Sequence, residues 1–197
     1  QSSLSLSQTY ASTSWQSGYG DYVMAPDLST IRPVPWLEGT AMVLCDVLDH
    51  HTNEPISHSP RAILKKQIKR LEALGLEAKM ATELEFFLFA KTLDEIRKEG
   101  FRNLEPISGY NEDYHIFQTS KEEPILRPVR NHLRAMGIPV EGTKGEAEAG
   151  QEELNIKYTS ALDTADHHAI AKHAIKEIAH QHGAASEYQY YRLRLRV

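Results

Sequence analysis

Apolar and polar positions change period several times along the chain, and each change marks an element. Thr40-Ala-Met-Val-Leu-Cys-Asp-Val47 is a nearly continuous apolar run and predicts a strand over 40–48. Asp27 to Trp36, with two prolines and several capping residues, predicts an extended connection into it. Ser59-Pro60 opens a helix over 59–75, in which Ile63, Ile68, Leu71 and Leu74 form a stripe that ends at Gly75. Strict alternation then predicts a strand over 79–89, with Leu84, Phe86 and Leu88 on one face and Glu83, Glu85, Phe87 and Phe89 on the other. Leu93 to Glu99 is a short amphipathic segment stopped by Gly100, and 101–120 reads as a loop. A helix is expected over 122–136, with Pro124 and Pro128 near its start and Gly137 as its stop. Ile138-Pro-Val-Glu141 predicts a strand that passes through Gly142 and Gly145 into a second strand at 149–158. From Ser160 to His182 a long helix carries Ala165, Ile170, Ala174, Ile175 and Ile178, and Gly183 ends it. Strands alternating with helices, without internal repeat, indicate an α+β fold whose sheet is covered on one side.

Four glutamates stand out against this pattern. Glu83 and Glu85 share a face and so aim two carboxylates at one region, and a solvated face seldom turns from two acids to two phenylalanines. Glu146 and Glu153 lie seven residues apart, a spacing that needs a bend near Ala149-Gly150 if both are to face one site. Glu148 and Glu152 occupy the same window, and composition alone does not say which acids act. Carboxylates gathered on one concavity repel unless a cation lies among them, and hard divalent ions prefer oxygen ligands. Metal-assisted chemistry is the first expectation.

The rest of the chain narrows the field. A formal net charge of -5 gives no basic footprint for nucleic acid. No stretch approaches the about 18 to 20 apolar residues of a membrane span, and the start lacks a signal pattern, so a cytoplasmic location is expected. The single cysteine, Cys45, excludes an intrachain disulfide framework. His167, His168, His173, His180 and His182 lack the zinc-helix spacing and read as surface or core residues, and His50-His51 reads as a turn. No Gly-rich phosphate loop and no nucleophile elbow occurs.

Several ordered motifs resemble the glutamine synthetase family, the bacterial type that includes γ-glutamyl-amine ligases. They are Tyr22 to Thr30, Pro35 to Asp46, Ser59-Pro-Arg61, the Glu-x-Glu-Phe-Phe-Leu-Phe strand, Lys144-Gly-Glu146 with Gly150-Gln151 and Glu153, Ala165-Asp-His167 and Lys176 to Ala179. The resemblance implies an ATP-dependent ligase that phosphorylates the γ-carboxylate of L-glutamate and lets ammonia or an amine displace the phosphate. It implies Glu85, Glu146 and Glu153 on one Mg²⁺ or Mn²⁺ ion, Glu83 on a second, and Glu141 at the nucleotide. It further implies self-association into dodecameric double rings, with a partial β-grasp domain over 1–50 and the first half of a catalytic domain over 51–183, a curved antiparallel sheet covered by helices. Residues 184–197 depart from the family, the acidic ammonium loop expected upstream of Asp21 is missing, and the residues expected to be catalytic lie beyond the match. The expectation is therefore an incomplete form, with a non-catalytic metal-binding or oligomerising fragment as the alternative. Incompleteness also leads one to expect unpaired edges on the strands at 79–89 and 149–158, and aggregation.

Overall fold

The computed structural model describes residues 20–188. The polar lead and the last residues of the atypical tail lie outside the described residues. In chain order the elements are β1 (Tyr22–Pro26), a 3-10 turn (Leu28–Thr30), β2 (Arg32–Pro33), β3 (Ala41–Met42), β4 (Cys45–Asp49), α1 (Pro60–Glu72), β5 (Lys79–Met80) and β6 (Glu83–Phe89). There follow α2 (Leu93–Lys98), α3 (Ile116–Thr119), α4 (Glu123–Ala135), β7 (Val140–Gly145), β8 (Gln151–Ile156), β9 (Thr159–Ser160), α5 (Ala161–Gln181) and β10 (Ala185–Tyr188).

The central sheet is antiparallel with strand order β10-β6-β8-β7. Its alternation is the one read from the sequence: Leu84, Phe86 and Leu88 are buried, whereas Glu83, Glu85, Phe87 and Phe89 keep some exposure on the other face. The buried face packs on α4 and α5 through Leu126, Val129, Leu133, Ile175 and Ile178, all essentially solvent-free. Each such side chain contributes roughly 1.5–3 kcal/mol on burial, so this layer holds the sheet and leaves its other face open.

Ser59 and Pro60 open α1 without a side-chain cap bond from Ser59, whereas other helix ends follow their sequence signals. Thr92 and Glu95 close a capping box on α2, Ser160 accepts from the Asp163 N–H at the start of α5, and Gly100, Gly137 and Gly183 take positive φ just past their helices. α1 differs from the rest because none of its residues is buried. Its apolar stripe borders a cleft of about 950 Å³ lined by Leu48, Ile56, Ala62 and Leu76.

Residues 27–46 are fastened to the same core. Val34 and Trp36 belong to it, and the Trp36 indole N–H donates to Glu177 at 2.6 Å. Arg61 donates to Asp27, Asp46 and Asp166 at 2.8–3.1 Å, which ties the 3-10 turn, β4, α1 and α5 together.

Several boundaries depart from the sequence reading, each for a physical reason. The strand expected over 40–48 is two strands: β3 pairs with β2 and β4 with β1, and between them the Leu44 N–H donates to Thr30 Oγ1. The strand over 79–89 is likewise split, since β5 pairs with β9 while β6 enters the central sheet. Gly142 and Gly145 lie inside β7, whose register is broken by a bulge between Val140 and Gly142. Ala165 is exposed, and the buried stripe of α5 runs through Thr164, Ile170, Ala171, Ala174, Ile175 and Ile178. The expected unpaired edges are corrected: β6 is flanked by β10 and β8, and β8 by β6 and β7. Among the described residues the edges of this sheet are β10 and β7.

Candidate functional site

The open face of the sheet brings three of the four singled-out glutamates together. Glu85 of β6 lies directly opposite Glu153 of β8, and Lys144 of β7 lies opposite Glu153 on its other side. Glu146 directly follows β7, and the turn at 147–150 reverses the chain so that β8 brings Glu153 back beside it. Gly150 supplies that bend: its φ is +70°, and a Cβ there would stand 2.8 Å from the Leu88 carbonyl oxygen. Glu146 and Glu153 share a hydrogen bond. Glu83 stands two residues along β6, opposite Asn155 and exposed to solvent. Glu141 is exposed at the bulge of the edge strand and is not brought to this group.

The electrostatics show a surplus of negative charge. Burial raises the Glu153 carboxyl to about 7, helped by the hydrogen bond and the charge of Glu146. Burial also works to raise Glu146, but hydrogen bonds from Lys144 and with Glu153 hold it below the usual carboxylate range. Hydrogen bonding to Glu146 and Asp113 raises the Lys144 ammonium, so it stays charged.

Sequence reasoning missed the residues that order these acids. Gln151, two positions before Glu153 on the same face, donates to Glu85 at 2.8 Å and accepts from the Glu148 N–H at 3.2 Å. Lys144 stands 2.6 Å from Glu146, 3.2 Å from Asp113 and 3.9 Å from Glu153. Behind the site, Glu152 faces the interior and is fully buried with both oxygens lacking a fixed donor. Its neighbour Glu112 is also fully buried: Oε1 accepts from the Gly150 N–H at 3.1 Å, and Oε2 has no donor. Strict alternation carries the signal for Glu152: if Glu153 faces out with Glu85, Glu152 must face in with Phe86.

Three histidines of α5 contact neighbouring side chains. His167 is buried against Arg32 at 3.2 Å, His168 meets Thr82 at 3.0 Å, and His173 lies 3.3 Å from Glu177. Cys45 is half-buried and free.

Carboxylate oxygens on one open face, strained by their own charge, suit a hard divalent cation in kind. Among the described residues no group of three or more His, Cys, Asp or Glu side chains is arranged to hold a metal ion. The donors thus match in chemistry and in face, while the shared hydrogen bond and the Lys144 ammonium engage them with one another. No helix among the described residues is long and apolar enough to cross a membrane.

Comparison with known proteins gives this face a lineage. Residues 57–188 match the family described as glutamine synthetase, catalytic domain. The gamma-glutamylethanolamide synthetase of Streptomyces coelicolor is 43% identical over 174 residues, 88% of this chain and 37% of that protein. The glutamate–isopropylamine ligase of a Pseudomonas species is 40% identical over 176 residues, 89% of this chain and 38% of the relative. The glutamine synthetase of Thermus thermophilus is 35% identical over 172 residues, 84% of this chain and 35% of the relative. The solved structure of GmaS with ADP superposes with a TM-score of 0.74 at 25% identity, covering 85% of this chain and 37% of that one. The chain spans a little over a third of the length of these relatives. With the family model matching well over half of its residues, the chain belongs to the glutamine synthetase catalytic-domain family.

Proposed function

We propose that this chain supplies the metal-binding wall of an ATP-dependent ligase that joins an amine to the γ-carboxylate of L-glutamate through a γ-glutamyl phosphate. The observation that carries the reading is the direct opposition of Glu85 and Glu153 on the open face of the sheet, with Glu146 hydrogen-bonded to Glu153. Glu85, Glu146 and Glu153 are the ligands proposed for one Mg²⁺ or Mn²⁺ ion, Glu83 for a second, and Glu141 for contact with the nucleotide. Such ions, when bound, neutralise the oxygens of a phosphoryl group in transfer. The chain's own contribution is positioning: Gln151 holds Glu85, the Gly150 turn brings β8 and Glu153 back beside Glu146, and the apolar layer beneath fixes the strand spacing.

An amine rather than ammonia is the proposed acceptor. The relatives that share 43% and 40% of matched residues are named for ethanolamide and isopropylamine products, whereas the Thermus thermophilus glutamine synthetase shares 35%. By the same likeness, residues 1–50 are read as part of a β-grasp domain, 51–183 as part of the catalytic domain, and self-association as the working state in the cytoplasm.

The test has two stages. Mn²⁺ binding to the chain is followed by the loss of the free-ion electron paramagnetic resonance signal, and E85Q and E153Q are expected to weaken it at least tenfold. The chain is then incubated with ATP, L-glutamate and ethanolamine, isopropylamine or ammonia, and γ-glutamyl amide is measured by mass spectrometry. Amide formed faster from an amine than from ammonia supports the proposal. Mn²⁺ binding without amide would favour a non-catalytic metal-binding fragment, and phosphate release independent of glutamate would overturn the ligase reading.

A further inference from the structure

Lys144 does more than pair with the residue across the sheet. A cross-strand ion pair needs only Glu153, yet the Lys144 ammonium is closer to Glu146, at 2.6 Å, and to Asp113, at 3.2 Å, than to Glu153, at 3.9 Å. It also lies 4.7 Å from the centroid of the Tyr114 ring. Tyr114 takes an unfavourable positive φ of 54°, in a loop that the buried Glu112 pins to the Gly150 N–H. The ammonium therefore touches two groups of different kinds. On one side are Glu146 and Glu153, half of the acids assigned above to divalent ions. On the other are Asp113 and Tyr114, a carboxylate and an aromatic face that suit an organic cation.

We propose that Lys144 is a built-in cation that competes with the divalent ion for Glu146 and Glu153, and that Asp113 and Tyr114 form the seat to which its ammonium withdraws when the ion binds. This rests on the metal reading given under Proposed function. Two cations cannot share one carboxylate oxygen at close range without strong repulsion, so binding of the ion requires that the ammonium move. Lysine suits this role: its charge ends a flexible four-carbon stem, and its side chain here is 32% exposed. Withdrawal needs only rotation of that stem, because the seat is already in contact.

The test is Mn²⁺ affinity of the full chain, read from the free-ion resonance signal, in K144Q, K144R, D113N and the K144Q/D113N double variant. Cooperative melting of each is required first, and K144M replaces K144Q if the latter does not melt cooperatively. K144Q is expected to bind at least tenfold more tightly than the native chain, and K144R within about twofold of it. D113N is expected to weaken binding at least threefold when Lys144 is present and to change it less than twofold in the K144Q background, because the seat matters only if there is an ammonium to receive. Equal or weaker binding by K144Q overturns the competition. Equal weakening by D113N in both backgrounds overturns the seat, because Asp113 would then act through its charge alone. If E153Q abolishes binding while K144Q leaves it unchanged, only this inference fails. If neither the native chain nor any variant binds Mn²⁺, the metal reading fails and this inference with it.

Discussion

Glu152→Gln should stabilise the protein at neutral pH, against the usual expectation for a buried substitution. Burial first, and the negative charge of Glu112 second, push the Glu152 carboxyl up to about 10. A glutamate in the unfolded chain titrates near 4.5, so at pH 7 folding must load a proton onto Glu152. That uptake spans about 2.5 pH units and costs about 3 kcal/mol, whatever the folded value is so long as it exceeds 7. Glutamine is neutral in both states and removes the cost, and its amide supplies a donor beside Glu112 Oε2, which has none. One amide hydrogen left unpaired returns about 1 kcal/mol, for a net gain of about 2 kcal/mol. In a chain of this size that raises Tm by about 4–8 °C. A group whose folded value is raised contributes fully below its unfolded value and loses that contribution as pH rises toward the folded one, so the two proteins should be equally stable at about pH 5 and Glu152→Gln the less stable below it. Thermal melts followed by circular dichroism at pH 4.5, 6, 7 and 8 supply the check. A Tm difference that does not grow with pH, or a Glu152→Gln protein less stable at pH 7, would refute the reasoning.

Arg61→Ala leaves Asp27, Asp46 and Asp166 facing one another with little solvent, and should cost about 3 kcal/mol in urea unfolding. Acid should act at the same place. Hydrogen bonds from Ser29 and then Arg61 lower the Asp27 carboxyl to about 2, so its contribution is present above about pH 4 and lost as pH falls toward 2. Asp27→Asn should therefore flatten the fall in Tm between pH 4 and 2. Gly150→Ala must hold a positive φ and push a methyl group to 2.8 Å from the Leu88 carbonyl oxygen. It should cost more than about 1 kcal/mol in thermal melts and weaken Mn²⁺ binding, because it displaces the turn that brings Glu153 back beside Glu146.

Much of the open face was legible because period-2 alternation needs no partner strand. Glu83 and Glu85 against Leu84, Phe86 and Leu88 is a local fact, and the structure repeats it. The bend between Glu146 and Glu153 was legible from Gly150 for the same reason: the demand and the residue that meets it lie in one short segment. Lys144, Asp113 and Gln151 were not legible as site residues, because their roles depend on which strands lie side by side. That register is set by tertiary packing of Leu84, Phe86 and Leu154 on the helices, and no spacing in the chain records it. The split strands failed for a related reason. A continuous apolar run such as 40–48 does not reveal that its two halves pair with different partners, and backbone partners rather than side-chain character decide where β3 ends and β4 begins.

Asn53, Phe101 and Asn103 take positive φ and Arg32, His167 and Ser186 carry buried unpartnered atoms elsewhere in the fold, but one group of such departures gathers beside the acidic face. Two fully buried carboxyl groups, a glycine whose position admits no Cβ, and a tyrosine at positive φ all lie within the loop at 110–115 and the hairpin of β7 and β8. Each works against stability, and three of them hold residues of the acidic face: Glu112 fastens the loop to the Gly150 N–H, Gly150 lets β8 bring Glu153 back beside Glu146, and Tyr114 lies against Lys144. Local costs gathered in one loop and one hairpin are consistent with a segment in which the acids need fixed positions. That clustering is independent of any likeness to known proteins, and it points to the same face. It also separates two kinds of acid on one strand. Glu152 is held neutral as part of the scaffold, whereas Glu153, one residue on, stands at about 7 on the open side and can give up its proton to a cation.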